Sequence, residues 1–129
     1  MLISFGELLK RWREARGLTY RDLAAACRPP VDHAYLYRLE NELKGNPSSP
    51  VLKSIFAGLR LSELETAILE AVAEQGSVEQ NLLAALLDAQ DEWDGDLAYS
   101  AITMRFRGEK PGTIAEWNQK LRDLKKLLK

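Results

Sequence analysis

Apolar residues recur at helical spacing along almost the whole chain, and each run of them follows a residue that can cap a helix. Phe5, Leu8 and Trp12 lie on one face of a predicted helix that Ser4 caps and Gly17 ends. Further helices are predicted to begin near residues 19, 32, 50, 62, 77 and 113, each with its own apolar face. The pattern therefore predicts an all-α protein.

One stretch of the second half fits two structures. Asp96 would cap a short helix over residues 97–107, whereas the alternation of apolar and polar residues in Ile102–Phe106 also suits a strand. Ser77, followed three residues later by Gln80, is expected to cap the helix that precedes this stretch. Periodicity alone leaves the structure of residues 97–107 open.

Loop signals and the restart of the helical pattern divide the chain in two. The first four predicted helices end near residue 60, and Ser62 then opens a second series of helices. We expect a compact N-terminal domain over residues 1–61 and a small helical module over residues 62–129.

The net charge of −1 conceals a strong segregation of charge along the chain. Residues 1–60 hold ten basic and six acidic residues, residues 61–100 hold ten acidic residues and no Lys or Arg, and residues 101–129 hold eight basic and three acidic residues. Two interpretations are open: the acidic face packs against a basic one within the fold, or the acidic segment 62–96 binds a partner protein.

Composition excludes several classes of protein. Cys27 and His33 are the only cysteine and histidine, which excludes an internal disulfide and a zinc site built from Cys or His. No apolar run reaches the roughly 18 residues that a membrane helix needs, and residues 1–10 lack the features of a signal peptide. No glycine-rich phosphate loop or catalytic constellation is present either. We expect a cytoplasmic protein that is not an enzyme and uses no metal or cofactor.

The most specific pattern lies in the first half of the chain. Leu18–Ala24 reads LTYRDLA, Val31–Asn41 reads VDHAYLYRLEN, and an apolar helix with Leu52, Ile55 and Leu59 follows. Over about the first 62 residues the chain resembles the Cro/C1-type (XRE) family of bacterial and phage regulators. The resemblance implies a lambda-repressor-like helix-turn-helix domain whose third helix enters the major groove of double-stranded DNA.

The third predicted helix supplies most of the candidate DNA contacts. If Val31, Leu36 and Leu39 point to the core, the residues that face outward are His33, Ala34, Tyr37 and Arg38. The resemblance places His33, Ala34 and Arg38 opposite base edges, where an arginine can pair with a guanine. It also places Tyr20 and Arg21 near the DNA backbone, and makes Glu40 a tether to the first helices.

The chain departs from the family pattern in two loops. Residues Cys27–Pro30 replace the glycine of the usual turn between the second and third helices, and the loop over residues 42–46 is longer. This longer loop makes Lys44 and Asn46 further candidate contacts to the DNA backbone. Cys27 falls where the family has an apolar residue, so we expect it to be buried.

The last predicted helix carries a heptad-like apolar seam. Its intervals of three and four residues join five positions, Ile114, Trp117, Leu121, Leu124 and Leu128. Such a seam buries either inside its own module or against a second subunit. Because regulators of this type bind paired half-sites, we expect a homodimer formed mainly by residues 62–129, with the five seam residues as its dimerisation contacts.

The resulting functional prediction is a sequence-specific transcriptional regulator that acts as a homodimeric repressor. The alternative is an antitoxin or anti-regulator whose C-terminal half binds a partner protein.

Overall fold

The computed structural model describes residues 1–43, 45, 47–105 and 109–128. Helices dominate the described residues, and the two strands among them are each three residues long, which confirms the predicted all-α fold. The elements in chain order are β1 (Leu2–Ser4), α1 (Phe5–Ala15), α2 (Tyr20–Ala26), α3 (His33–Glu40), α4 (Ser49–Leu59), α5 (Glu63–Gln75), β2 (Ser77–Glu79), α6 (Gln80–Asp88), a 3₁₀ turn (Gln90–Glu92), α7 (Gly95–Thr103) and α8 (Ile114–Leu127). None of the described helices is both long and apolar enough to cross a membrane.

Two compact units make up the chain. The N-terminal unit is Ser4–Ser62, and the C-terminal unit combines Met1–Ile3 with Glu63–Lys129. The first three residues of the chain thus belong to the second unit, so the N-terminal unit is inserted between Met1–Ile3 and the remainder of the C-terminal unit.

Side-chain caps set the starts of the first three helices. Ser4 Oγ accepts a hydrogen bond from the Glu7 amide at 3.2 Å, at the start of α1. Thr19 and Asp22 form a full capping box on α2, in which each side chain accepts from the other residue's amide. Asp32 caps α3 by accepting from the Ala34 amide at 3.0 Å. These three predicted starts are confirmed.

The core of the N-terminal unit lies where α2 packs against α3 and α4, and α1 against α3. The fully or almost fully buried side chains are Leu8, Leu9, Leu23, Leu36, Leu39, Ile55 and Leu59. Gly6 allows α1 to approach α3, since a Cβ there would lie 2.5 Å from the Glu40 carbonyl oxygen. Val31, expected in the core, is only half-buried.

The start of α6 was predicted incorrectly. Ser77 does not cap a helix, because Ser77–Glu79 is a strand that pairs with Leu2–Ser4 in a two-stranded sheet. The helix begins at Gln80, whose amide donates to the Met1 carbonyl at 2.9 Å. The Gln80 amide lies in the turn that Ser77 was predicted to cap. It is instead bonded to the backbone of Met1, a residue distant in sequence.

Residues 97–103 are helical, so the strand interpretation is wrong for this part of the stretch. The cap is Asp94 and not Asp96: its Oδ1 accepts from the Leu97 amide at 2.9 Å. Helix α7 packs against α5 at a point where a Cβ on Gly95 would lie 3.1 Å from the Ala67 Cβ. Residues 106 and 107 lie outside the described residues.

Helix α8 buries most of its seam within its own unit. Trp117, Leu121 and Leu124 are buried, and α8 packs against α6 and α7. A second subunit has no access to these three side chains, which corrects their assignment to a dimer interface. Ile114 and Leu128 remain 40% and 54% exposed. The middle of the α8 seam thus belongs to the core of the C-terminal unit, and its two ends are exposed.

Candidate nucleic-acid interface

The turn between α2 and α3 is held by backbone hydrogen bonds despite its unusual sequence. The Cys27 amide donates to the Leu23 carbonyl at 3.0 Å, and the Val31 amide donates to the Ala24 carbonyl at 3.2 Å. The Arg28 amide donates to the Ser54 carbonyl on α4 at 3.4 Å. The longer turn without glycine therefore still delivers α3 onto α2, with which it packs.

A buried ion pair fixes α3 to α1. Arg13 Nε and Nη2 donate to the two carboxylate oxygens of Glu40 at 2.6 and 3.1 Å, and Arg13 Nη1 donates to the Leu18 carbonyl at 2.6 Å. The hydrogen bond to Glu40 raises the pKa of Arg13 from its ordinary value. A bidentate pair of this kind sets both distance and angle between the helices that carry it. Glu40 thus acts as the tether that the resemblance implied.

The outward side of α3 carries the predicted base-reading residues. Leu36 and Leu39 are buried, whereas His33, Ala34 and Arg38 are partly exposed and Tyr37 is 49% exposed. His33 Nδ1 lies 3.6 Å from the Asp32 carboxylate at the start of the helix. The structure thus brings these four candidates together on the surface of one helix, with His33 and Ala34 in its first turn and Arg38 in its last turn.

The two candidates on α2 differ in their surroundings. Arg21 is exposed and available to a ligand. Tyr20 is half-buried, with the Arg13 guanidinium 4.2 Å from its ring centroid and the Tyr37 ring in edge contact at 5.6 Å. Sequence reasoning missed both ring contacts, because no spacing rule links residues on two different helices.

Two further candidates, Lys44 and Asn46, lie outside the described residues. Their assignment to the DNA backbone stays a prediction. Within the described residues, no three His, Cys, Asp or Glu side chains come together in a way that could hold a metal ion.

Cys27 is buried beneath the turn, as expected for a small apolar residue. Burial raises the pKa of its thiol to about 11. Gly58 on α4 makes room for it, since a Cβ on Gly58 would lie 3.0 Å from Cys27 Sγ.

We expect Cys27 to resist thiol reagents in the native protein. With a pKa of about 11, on the order of one thiol in a thousand is ionised at pH 8, and the thiolate is the reactive form. Labelling with a disulfide reagent should be negligible in native buffer and complete after denaturation in urea. Rapid labelling of the native chain would contradict the burial of this side chain.

This arrangement defines the class of protein: a capped second helix, a turn and a third helix that exposes polar and aromatic residues form a helix-turn-helix DNA-binding unit. A family model described as a helix-turn-helix domain matches residues 4–69, just over half of the chain. The chain belongs to this helix-turn-helix family. A search of curated proteins gave no match. The family assignment is consistent with the resemblance to Cro/C1-type regulators and supports a DNA-binding regulator in general.

Proposed function

We propose that the protein is a Cro/C1-type transcriptional regulator that binds a specific duplex sequence through α3. The observation that carries the proposal is the outward side of α3, with Arg38 and His33 presented from a helix that the Arg13–Glu40 pair fixes in place. A helix fits the major groove, where base edges differ in their donors and acceptors. The activity is binding and not catalysis, and its setting is the cytoplasm.

Repression is the mode of regulation that we propose. A protein that occupies a promoter excludes other proteins from it, and this needs no further activity. We also propose a homodimer, because two linked units on paired half-sites bind far more tightly than one small unit. The two exposed ends of the α8 seam, Ile114 and Leu128, are the part of the seam that a second subunit can reach.

Two arginine variants test the DNA-binding proposal. Arg38→Ala should lose about 1–3 kcal/mol of discrimination at one base pair, as expected for a lost contact to a guanine. Arg21→Ala is its matched control. It should weaken binding to all DNA sequences similarly and reduce the slope of log affinity against log salt concentration by about one unit. Mobility-shift titrations of both variants against the region upstream of the protein's own gene measure these effects. Equal behaviour of the two variants would contradict a base-reading role for Arg38.

The second candidate function is an antitoxin or anti-regulator. The observation that favours it is the exposed acidic surface of the C-terminal unit, formed by Glu63, Glu70 and Glu74 on α5 and by Asp94 and Asp96 at the start of α7. Residues 61–100 contain no Lys or Arg that would neutralise it. Co-expression with the product of the adjacent gene distinguishes the two functions. A stable complex that forms through the C-terminal unit supports the second candidate, and a protein that binds only DNA supports the first.

A further inference from the structure

Two tyrosines on different helices of the interface touch each other. The ring centroids of Tyr20 on α2 and Tyr37 on α3 lie 5.6 Å apart at an interplanar angle of 72°, the edge-to-face geometry that aromatic pairs favour. Tyr20 also has the Arg13 guanidinium 4.2 Å from its ring centroid, and Arg13 is bonded to Glu40. One continuous series of contacts therefore runs from the buried ion pair to an exposed residue of α3.

The surroundings of Tyr20 do not suit a contact to DNA. Burial raises the pKa of Tyr20, and the charge of the nearby Glu40 carboxylate and a hydrogen bond to it add to the effect. A phosphate at this hydroxyl would have to displace the hydrogen bond to Glu40, a carboxylate whose charge Arg13 already balances. Tyr37, in contrast, keeps 49% of its surface exposed.

The position of Tyr37 on α3 favours a phosphate over a base. With 3.6 residues per turn, Tyr37 lies about 60° around the helix from Ala34 and about 100° from Arg38. Its contact with Tyr20 shows that it lies on the flank of α3 that faces α2. The sugar–phosphate strands border the groove that a recognition helix occupies, so a flanking side chain meets phosphates, and tyrosine hydroxyls are among the groups that bind them.

We propose that Tyr20 is a positioning residue, whose ring holds Tyr37 in place so that the Tyr37 hydroxyl donates a hydrogen bond to a backbone phosphate of duplex DNA. This inference rests on the proposed function. The Arg13–Glu40 pair anchors the arrangement, because the Arg13 guanidinium packs on the ring of Tyr20 and is itself held by two hydrogen bonds to Glu40. A side chain that is already ordered before binding loses less conformational freedom when the complex forms.

The test uses four variants of the full chain: Tyr20→Phe, Tyr20→Leu, Tyr37→Phe and the double variant Tyr20→Leu with Tyr37→Phe. The probes are a duplex that the wild-type chain selects from a randomised library and a non-specific alternating duplex. Affinities are measured by fluorescence anisotropy over a series of salt concentrations. Thermal unfolding of each variant, followed by circular dichroism, fixes a temperature at which all of them are folded.

Tyr37→Phe should weaken binding to both probes by about tenfold, as expected for a lost hydrogen bond to a charged group. Its salt slope should equal that of the wild type, because no positive charge is removed. Tyr20→Phe keeps both ring contacts and should bind within about twofold of the wild type. Tyr20→Leu should weaken binding, and the double variant should be no weaker than Tyr37→Phe alone, because Tyr20 acts only through that hydroxyl.

Three outcomes would overturn the inference while leaving the proposed function intact. They are a loss in Tyr20→Phe as large as in Tyr37→Phe, additive losses in the double variant, and unchanged binding in Tyr37→Phe. A wild-type chain that selects no sequence and binds neither probe contradicts the proposed function itself, and this inference with it.

Discussion

Arg13→Ala should lower the free energy of unfolding of the N-terminal unit by about 3–5 kcal/mol, because it leaves the Glu40 carboxylate buried without its partner. The Glu40 side chain is only 1% exposed, and Arg13 supplies two hydrogen bonds to it at 2.6 and 3.1 Å. Denaturant titration followed by circular dichroism measures the loss. DNA binding should fall as well, since α3 is no longer fixed to α1.

The chain provides a matched control for this variant on the same helix. Arg11 pairs with Glu7 at 3.3 Å, but both side chains are more than 40% exposed. Arg11→Ala should therefore change the free energy of unfolding by less than about 1 kcal/mol, the usual range for a surface ion pair. If Arg11→Ala and Arg13→Ala lowered the free energy of unfolding equally, the burial of the Arg13–Glu40 pair would make no contribution to stability.

Leu121→Ala should lower the free energy of unfolding of the C-terminal unit by about 2–5 kcal/mol, through lost apolar burial and the cavity that remains. Leu121 is fully buried in the middle of α8, between Trp117 and Leu124 along the seam. Denaturant titration and light scattering on the same samples measure stability and molecular mass together. We expect a destabilised chain whose molecular mass is unchanged.

Leu127 is the control for Leu121, because it lies on the same helix and is 79% exposed. Leu127→Ala should change the free energy of unfolding by no more than about 0.5 kcal/mol. If Leu121 formed a subunit contact instead, Leu121→Ala would halve the molecular mass and leave the helical content and the stability of the separated chain unchanged.

Local sequence signals were sufficient to predict most helices. The starts at Thr19, Asp32 and Thr113 depend on a side chain and an amide two or three residues apart, which a sequence displays directly. Such features depend on neighbours along the chain, and reading them requires no knowledge of the tertiary structure.

Features that join distant segments were not predicted. The pairing of β1 with β2 joins segments that α1 to α5 separate along the chain, and strands of three residues are too short to show an alternating pattern. The seam of α8 has the same 3–4 spacing whether its partner is α6 or a second chain, so spacing alone could not identify Trp117 and Leu121 as core residues. The contacts of Tyr20 with Arg13 and Tyr37 were also missed, because they join residues on different helices and no spacing along the sequence reveals them.

Selection of duplexes from a randomised library by the full chain, followed by sequencing, tests most directly whether α3 reads a specific DNA sequence. We predict strong enrichment of one motif, present as two half-sites about one helical turn apart, with the preference at one base pair relaxed in a parallel selection with Arg38→Ala. A selected pool indistinguishable from the input library, at salt low enough for non-specific binding to be detected, would contradict the account.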